Sequence, residues 1–203
     1  LSWSDYLNSW ELRNYLVKCG TLLGGVEYQL PGVFKDNPFR GGINGSLWTL
    51  PYEIKMYGIL LAIWVFCRIL GKQRSIAFKC SIVANALFSG LYLLVGYFRN
   101  GFPGNIEVHD VYRFQSLFFM FFVGASYYIL KDKINLSNKM FLALLICLLI
   151  SSANRHSFFF IYTVSLPYLI FYLAYIPGGV LKIYNRFGDY SYGIYIYAFP
   201  IQL

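Results

Sequence analysis

The stretch Leu47–Leu70, LWTLPYEIKMYGILLAIWVFCRIL, decides the fold class, and only Glu53, Lys55 and Arg68 carry charge in it. A helix from Leu50 to Leu70 rises about 31 Å at about 1.5 Å per residue, enough to cross the hydrocarbon core of a bilayer. Thr49 is placed to cap its N-terminus. Pro51 then falls in the first turn, where a missing N–H costs little. The residues before it, Pro31–Tyr57, read PGVFKDNPFRGGINGSLWTLPYEIKMY. Their Pro-Gly, Asn-Pro, Gly-Gly and Asn-Gly pairs mark a turn-rich loop leading into the helix.

Outward from this stretch the pattern repeats. Cys80–Phe98, Phe114–Leu130, Met140–Asn154 and Ser157–Leu181 are charge-free, and a further apolar run extends from Tyr190 to Leu203. Spans need about 20 residues, so Met140–Asn154 is short for a crossing. Residues 10–30 are interrupted by Arg13, Lys18 and Glu27 and read as an amphipathic lead-in helix. Strict period-2 alternation of the kind that marks a membrane barrel is not visible, which leaves helices to satisfy the backbone in lipid. The expectation is an all-α, polytopic integral membrane helical bundle with five spans and a sixth, truncated one.

Composition agrees. The 203 residues are 58% apolar, 21% aromatic and 13% charged; mean hydropathy is +0.52. Soluble domains carry about 25% charged residues, so a water-soluble globule and a disordered chain are both disfavoured. The net charge of +8 resolves into loops. Arg68, Lys72, Arg74, Lys79, Lys131, Lys133, Lys139, Lys182 and Arg186 fall on one side, and Lys35, Arg40, Arg99, Arg113 and Arg155 on the other. Nine against five puts the first set in the cytoplasm. The basic excess is topological, so no nucleic-acid partner is expected. The four cysteines are scattered without a CxxC, which supports neither a disulfide framework nor a metal site. Neither Gly24-Gly25 nor Gly178-Gly179 forms a phosphate loop.

Glu53 is the residue with most chemistry to explain. A carboxylate in a span is costly and usually faces a bundle interior or a wet cavity. A helix-dipole partner, or a partner for Lys55, is the plainer account. Asn44, Ser46, Trp48 and Tyr57 add hydrogen-bonding and stacking groups around the same helix start, suited to a sugar hydroxyl.

These residues carry a resemblance. Asn44-Gly45-Ser46-Leu47-Trp48-Thr49-Leu50-Pro51-Tyr52-Glu53, with Tyr57, resembles the N-x-S-L-W-T/S-L-x-x-E-x-x-x-Y signature of the membrane acyltransferase-3 family. Arg113–Ala125 (RFQSLFFMFFVGA) and Phe187–Gln202 (FGDYSYGIYIYAFPIQ) are similar to two later motifs of that family, in the same order. The resemblance implies one membrane acyltransferase-like domain over residues 1–203, in the cell (inner) membrane. It would transfer an acyl group, most often acetyl, from acyl-CoA to a hydroxyl of a cell-surface or exported glycan. Partners would be the lipid bilayer, the glycan acceptor and acyl-CoA as donor substrate, with no bound cofactor and no metal.

It further implies Glu53 as the catalytic carboxylate and Asn44, Ser46, Trp48, Tyr57 and Arg113 as substrate-binding residues. The family's catalytic histidine would lie upstream of Leu1, so the chain reads as part of a longer protein. Neither histidine present replaces it. His109 beside Asp110 and His156 in the Asn154–Ser157 turn read as solvated loop residues. Arg113 has a plainer reading as a snorkelling anchor, and Asp189 as a helix-dipole partner. The tyrosines at 190, 192, 195 and 197 share no helical face and read as an interfacial belt. The Asn44-Gly45-Ser46 sequon lies inside the motif, which argues against a glycosylation site. A flippase or transporter of lipid-linked saccharides is the alternative from another class, and a glycan polymerase a third.

Overall fold

The computed structural model describes residues 2–34, 42–100, 106–176 and 190–202, with backbone alone at Asn100, 106–110 and Gln202. Lys35, Arg40, Gly178-Gly179, Lys182, Arg186 and Phe187–Asp189 lie outside the described residues, as do the side chains of His109 and Asp110. The fold is all-α. The helices are α1 (Trp3–Leu7), α2 (Trp10–Thr21), α3 (Leu50–Arg68), α4 (Arg74–Asn100), α5 (Ile106–Ile129), α6 (Asn138–Ser151), α7 (Arg155–Tyr175) and α8 (Ser191–Gln202). Short 3₁₀ turns at Gly45–Thr49 and Gly71–Gln73 lead into α3 and α4, and no strand occurs among the described residues.

Three of the helical stretches, Gly45–Arg68, Gly71–Arg99 and Arg155–Tyr175, are long and apolar enough to cross a membrane. The other expected crossings differ. With 14 residues, α6 is too short for the full hydrocarbon core. The 24 residues of α5 carry Arg113, Gln115 and the Tyr127-Tyr128 pair. Only 12 residues form α8.

The chain packs as two compact units, Leu1–Ile59 with Asn185–Leu203, and Leu60–Tyr184. In the first, Ser2 and Ser9 cap α1 and α2 by accepting from Asp5 N–H and Leu12 N–H. Helix α2 stops at Thr21 rather than continuing to residue 30. Leu22 turns left-handed at φ 56°, and Gly24 and Gly25 follow at φ 79° and 109°, a run only glycine accepts easily. The chain then returns along α2. Glu27 accepts hydrogen bonds from Asn14 (2.8 Å) and Lys18 (3.1 Å), and its carbonyl accepts one from the Cys19 thiol.

The second unit is built on two antiparallel-neighbour pairs, α4 with α5 and α6 with α7. On α4 the buried residues Ile82, Ala86, Ser89, Leu93 and Tyr97 make one stripe at helical spacing. On α5, Phe119, Phe122 and Ser126 answer them. The pair closes at Gly90, where a Cβ would stand 2.7 Å from the Phe119 ring. The buried hydroxyls of Ser89, Ser126 and Thr163 donate back to carbonyls on their own helices, so they add small volume at the interface without an unsatisfied polar group.

The α6–α7 pair is tied at both ends. Asn154 caps α7 by accepting from His156 and Ser157 N–H. At the far end the Tyr168 hydroxyl accepts from Ser137 N–H and donates to the Asn135 carbonyl, while Tyr172 donates to Asn138 Oδ1 at 2.7 Å.

Candidate functional site

The Asn-Gly-Ser turn and the last helix meet in the first unit. Asn44 is 7% exposed and caps the 3₁₀ turn, its Oδ1 accepting from Ser46 N–H at 3.0 Å. Its Nδ2 donates to the Ile196 carbonyl of α8 at 2.9 Å, across 152 residues of sequence. Gly45 lies flat against Phe199, and a Cβ there would come within 2.7 Å of the ring. Tyr195 donates its hydroxyl proton to the Ser46 carbonyl. A phenol has one proton to give, so Thr49, whose Oγ1 lies 3.0 Å from the same oxygen, donates to Tyr195. Thr49 therefore does not cap α3. The preceding 3₁₀ turn runs straight into the helix and Asn44 is the capping residue, leaving the Thr49 hydroxyl for α8.

From this junction α3 emerges at Leu50, with Pro51 in its first turn, as the sequence leads one to expect. Glu53 is in that first turn, near the positive end of the helix dipole, and is exposed. Lys55 does not neutralise it. The lysine lies over the Tyr52 ring, 5.4 Å from its centroid, and no ion pair among the described residues includes Glu53. Trp48 is half-buried and meets Tyr52 edge to face at 6.1 Å. Tyr57, one turn below Glu53, is exposed.

Asn44, Ser46, Trp48, Glu53 and Tyr57 thus belong to one unit and one short stretch of it. They divide into two kinds. Both ends of the Asn44 amide, and the Ser46 backbone on both sides, are spent on protein contacts. Glu53 and Tyr57 present their side chains outward. A buried, doubly bonded Asn44 is also no glycosylation acceptor, despite its sequon. Arg113 belongs to the second unit, where it is exposed near the start of the described part of α5. His156 is a residue of the first turn of α7, not of a loop, and its ring lies 5.6 Å from that of Tyr97 and 6.1 Å from that of Phe98.

Tyr195, Phe199 and Pro200 are the members of the junction that residue types alone do not single out. Tyr190, Tyr192 and Tyr197 are 60–64% exposed, as an interfacial belt requires, whereas Tyr195 is 37% exposed and turns to the junction. The signal was its hydroxyl, which needs a partner in an apolar helix.

An apolar cavity of about 430 Å³ lies in the second unit, lined in part by Gly90, Phe119, Ser126 and Pro167, and none of the predicted site residues line it. An open pocket in the first unit is lined by Trp3 and Tyr6 against Pro31–Val33. Among the described residues no cluster of His, Cys, Asp or Glu is placed to hold a metal ion. No family profile, curated protein or solved structure matches the chain.

Proposed function

We propose that the chain belongs to a membrane acyltransferase that moves an acyl group, in the first instance acetyl, from acyl-CoA to a glycan hydroxyl. One observation supports this reading above the others. The Asn44–Glu53 motif and the Tyr195–Pro200 motif, which carry the family resemblance from opposite ends of the chain, hydrogen-bond to each other in one junction. A junction of that kind fixes where the first turn of α3, and hence Glu53, is held.

In the reaction the acceptor oxygen bonds to the thioester carbonyl carbon, the hydroxyl proton passes to a base, and the carbon–sulfur bond breaks to release coenzyme A. Glu53, exposed at a helix N-terminus, is suited to accept the acceptor's hydroxyl proton in a hydrogen bond or to orient a cationic base. Trp48 and Tyr57 supply aromatic faces beside it for a sugar ring.

The test is the O-acetyl content of surface polysaccharide, read by proton NMR in cells with and without the complete gene. Loss of acetyl signals at unchanged glycan amount is the expected result. Unchanged acetylation with less glycan exported would replace this reading with a saccharide flippase.

A further inference from the structure

Proline 200 sits inside α8, followed there only by Ile201 and Gln202. In a regular helix the N–H of residue 200 would close the ring to the carbonyl of residue 196. Proline has no N–H, so the Ile196 carbonyl loses its intrahelical donor. Away from water such a carbonyl needs another partner. The Asn44 amide fills that place, with Nδ2 at 2.9 Å from the Ile196 oxygen.

We infer that Asn44 and Pro200 act as one device: the proline frees a carbonyl on α8, and the asparagine uses it to position the turn from which α3 and Glu53 start. The same amide does both jobs at once. Its oxygen caps Ser46 N–H and so sets the 3₁₀ turn; its nitrogen fastens that turn to α8. Neighbouring contacts make the fastening directional. Tyr195, one residue before the freed carbonyl, donates to the Ser46 carbonyl and accepts from the Thr49 hydroxyl. Phe199, one residue before the proline, lies over Gly45, which has no Cβ to hold it off. Residues 195, 196 and 199 therefore meet residues 44, 45, 46 and 49 through four contacts, and only the Asn44 contact depends on the missing N–H. Asn44 is in this account a positioning residue and not a sugar ligand.

The inference stands apart from the acyltransferase reading, because it holds or fails whatever the chain acts on. Its test is a double-substitution cycle in the full-length protein, purified in detergent. Asn44→Asp keeps the oxygen that caps Ser46 but removes the donor, leaving a carboxylate facing the Ile196 carbonyl. Pro200→Ala restores the intrahelical N–H, so that carbonyl no longer needs Asn44. Two readouts are followed: thermal midpoint, and amide hydrogen exchange over residues 45–57 measured by mass spectrometry.

Asn44→Asp alone should speed exchange over 45–57 at least tenfold and lower the midpoint. Pro200→Ala should recover most of both losses when combined with it. Equal damage from Asn44→Asp in the two backgrounds would overturn the inference, since a merely structural asparagine would be indifferent to residue 200. Native-like exchange in Asn44→Asp alone would overturn it too. Should Asn44→Asp fail to accumulate, Asn44→Ser, a shorter cap without the amide, takes its place in the same cycle with the same two outcomes.

Discussion

Tyr195 shows how one hydroxyl is distinguished from its neighbours by where its helix docks. It lies in a run of four tyrosines, and three of them face outward. Replacing Tyr195 by Phe keeps the ring but strips the Ser46 carbonyl of its donor and Thr49 of its acceptor. Each of these hydrogen bonds lies at an exposed position, where a typical one contributes about 0.5–1.5 kcal/mol. Tyr195→Phe should therefore lower the thermal midpoint of the purified protein, whereas Tyr197→Phe, at a 64% exposed position, should leave it unchanged; equal midpoints would remove Tyr195 from the junction. Glu53 makes the opposite kind of prediction. It is exposed and no ion pair among the described residues includes it, so Glu53→Gln should leave insertion and stability intact. If the carboxylate serves the transfer, the same substitution abolishes glycan acetylation in the full-length protein. Normal acetylation in that strain would end its catalytic assignment.

At the scale of elements, legibility followed the range of the interaction that decides each boundary. The start of α3 at Leu50 is local, and Leu47–Leu70 announces it. The stop of α2 is local as well, set by the left-handed turn at Leu22 and the glycines at 24 and 25, though charge spacing alone reads residues 10–30 as one amphipathic stretch. The Thr49 hydroxyl reads locally as a cap because its partner, Tyr195, lies 146 residues away. The partner of Asn44 on Ile196 is 152 residues distant, and no local pattern points to it. The α4–α5 contact offers a clean element-scale test, because two glycines of one helix differ in surroundings. A Cβ at Gly90 meets the Phe119 ring at 2.7 Å, and a Cβ at Gly96 meets nothing within 4 Å. Gly90→Ala should destabilise by about 1–3 kcal/mol through overpacking. Gly96→Ala should be neutral or slightly stabilising, since alanine is favoured over glycine within a helix by about 1 kcal/mol. Pairing Gly90→Ala with Phe119→Leu should relieve part of the loss, and a loss unaffected by the smaller partner would mean that the ring is not what Gly90 makes room for.

For the whole molecule, the apolar side chains left facing outward argue for lipid as the surrounding phase. Leu87, Phe88, Leu91 and Phe98 on α4, and Leu61, Val65, Phe66 and Ile69 on or just after α3, are each more than half exposed. Apolar side chains exposed in such numbers would favour association of a soluble chain, and in hydrocarbon they are simply solvated. The membrane fraction should therefore retain the protein through an alkaline carbonate wash. Orientation is a separate matter, resting on basic loops and not on packing. Helix α4 is long and apolar enough to cross while α5 carries Arg113 and Gln115, so the two ends of this pair make the decisive comparison. Single cysteines placed at Lys72 and at Lys133, with Cys19, Cys67, Cys80 and Cys147 replaced, can be challenged with a membrane-impermeant maleimide on intact cells. If α4 and α5 both cross, both positions lie in the cytoplasm and react only after the membrane is opened. Labelling of Lys133→Cys alone on intact cells would mean that α5 does not return across the bilayer, and labelling of both would reverse the orientation of the chain.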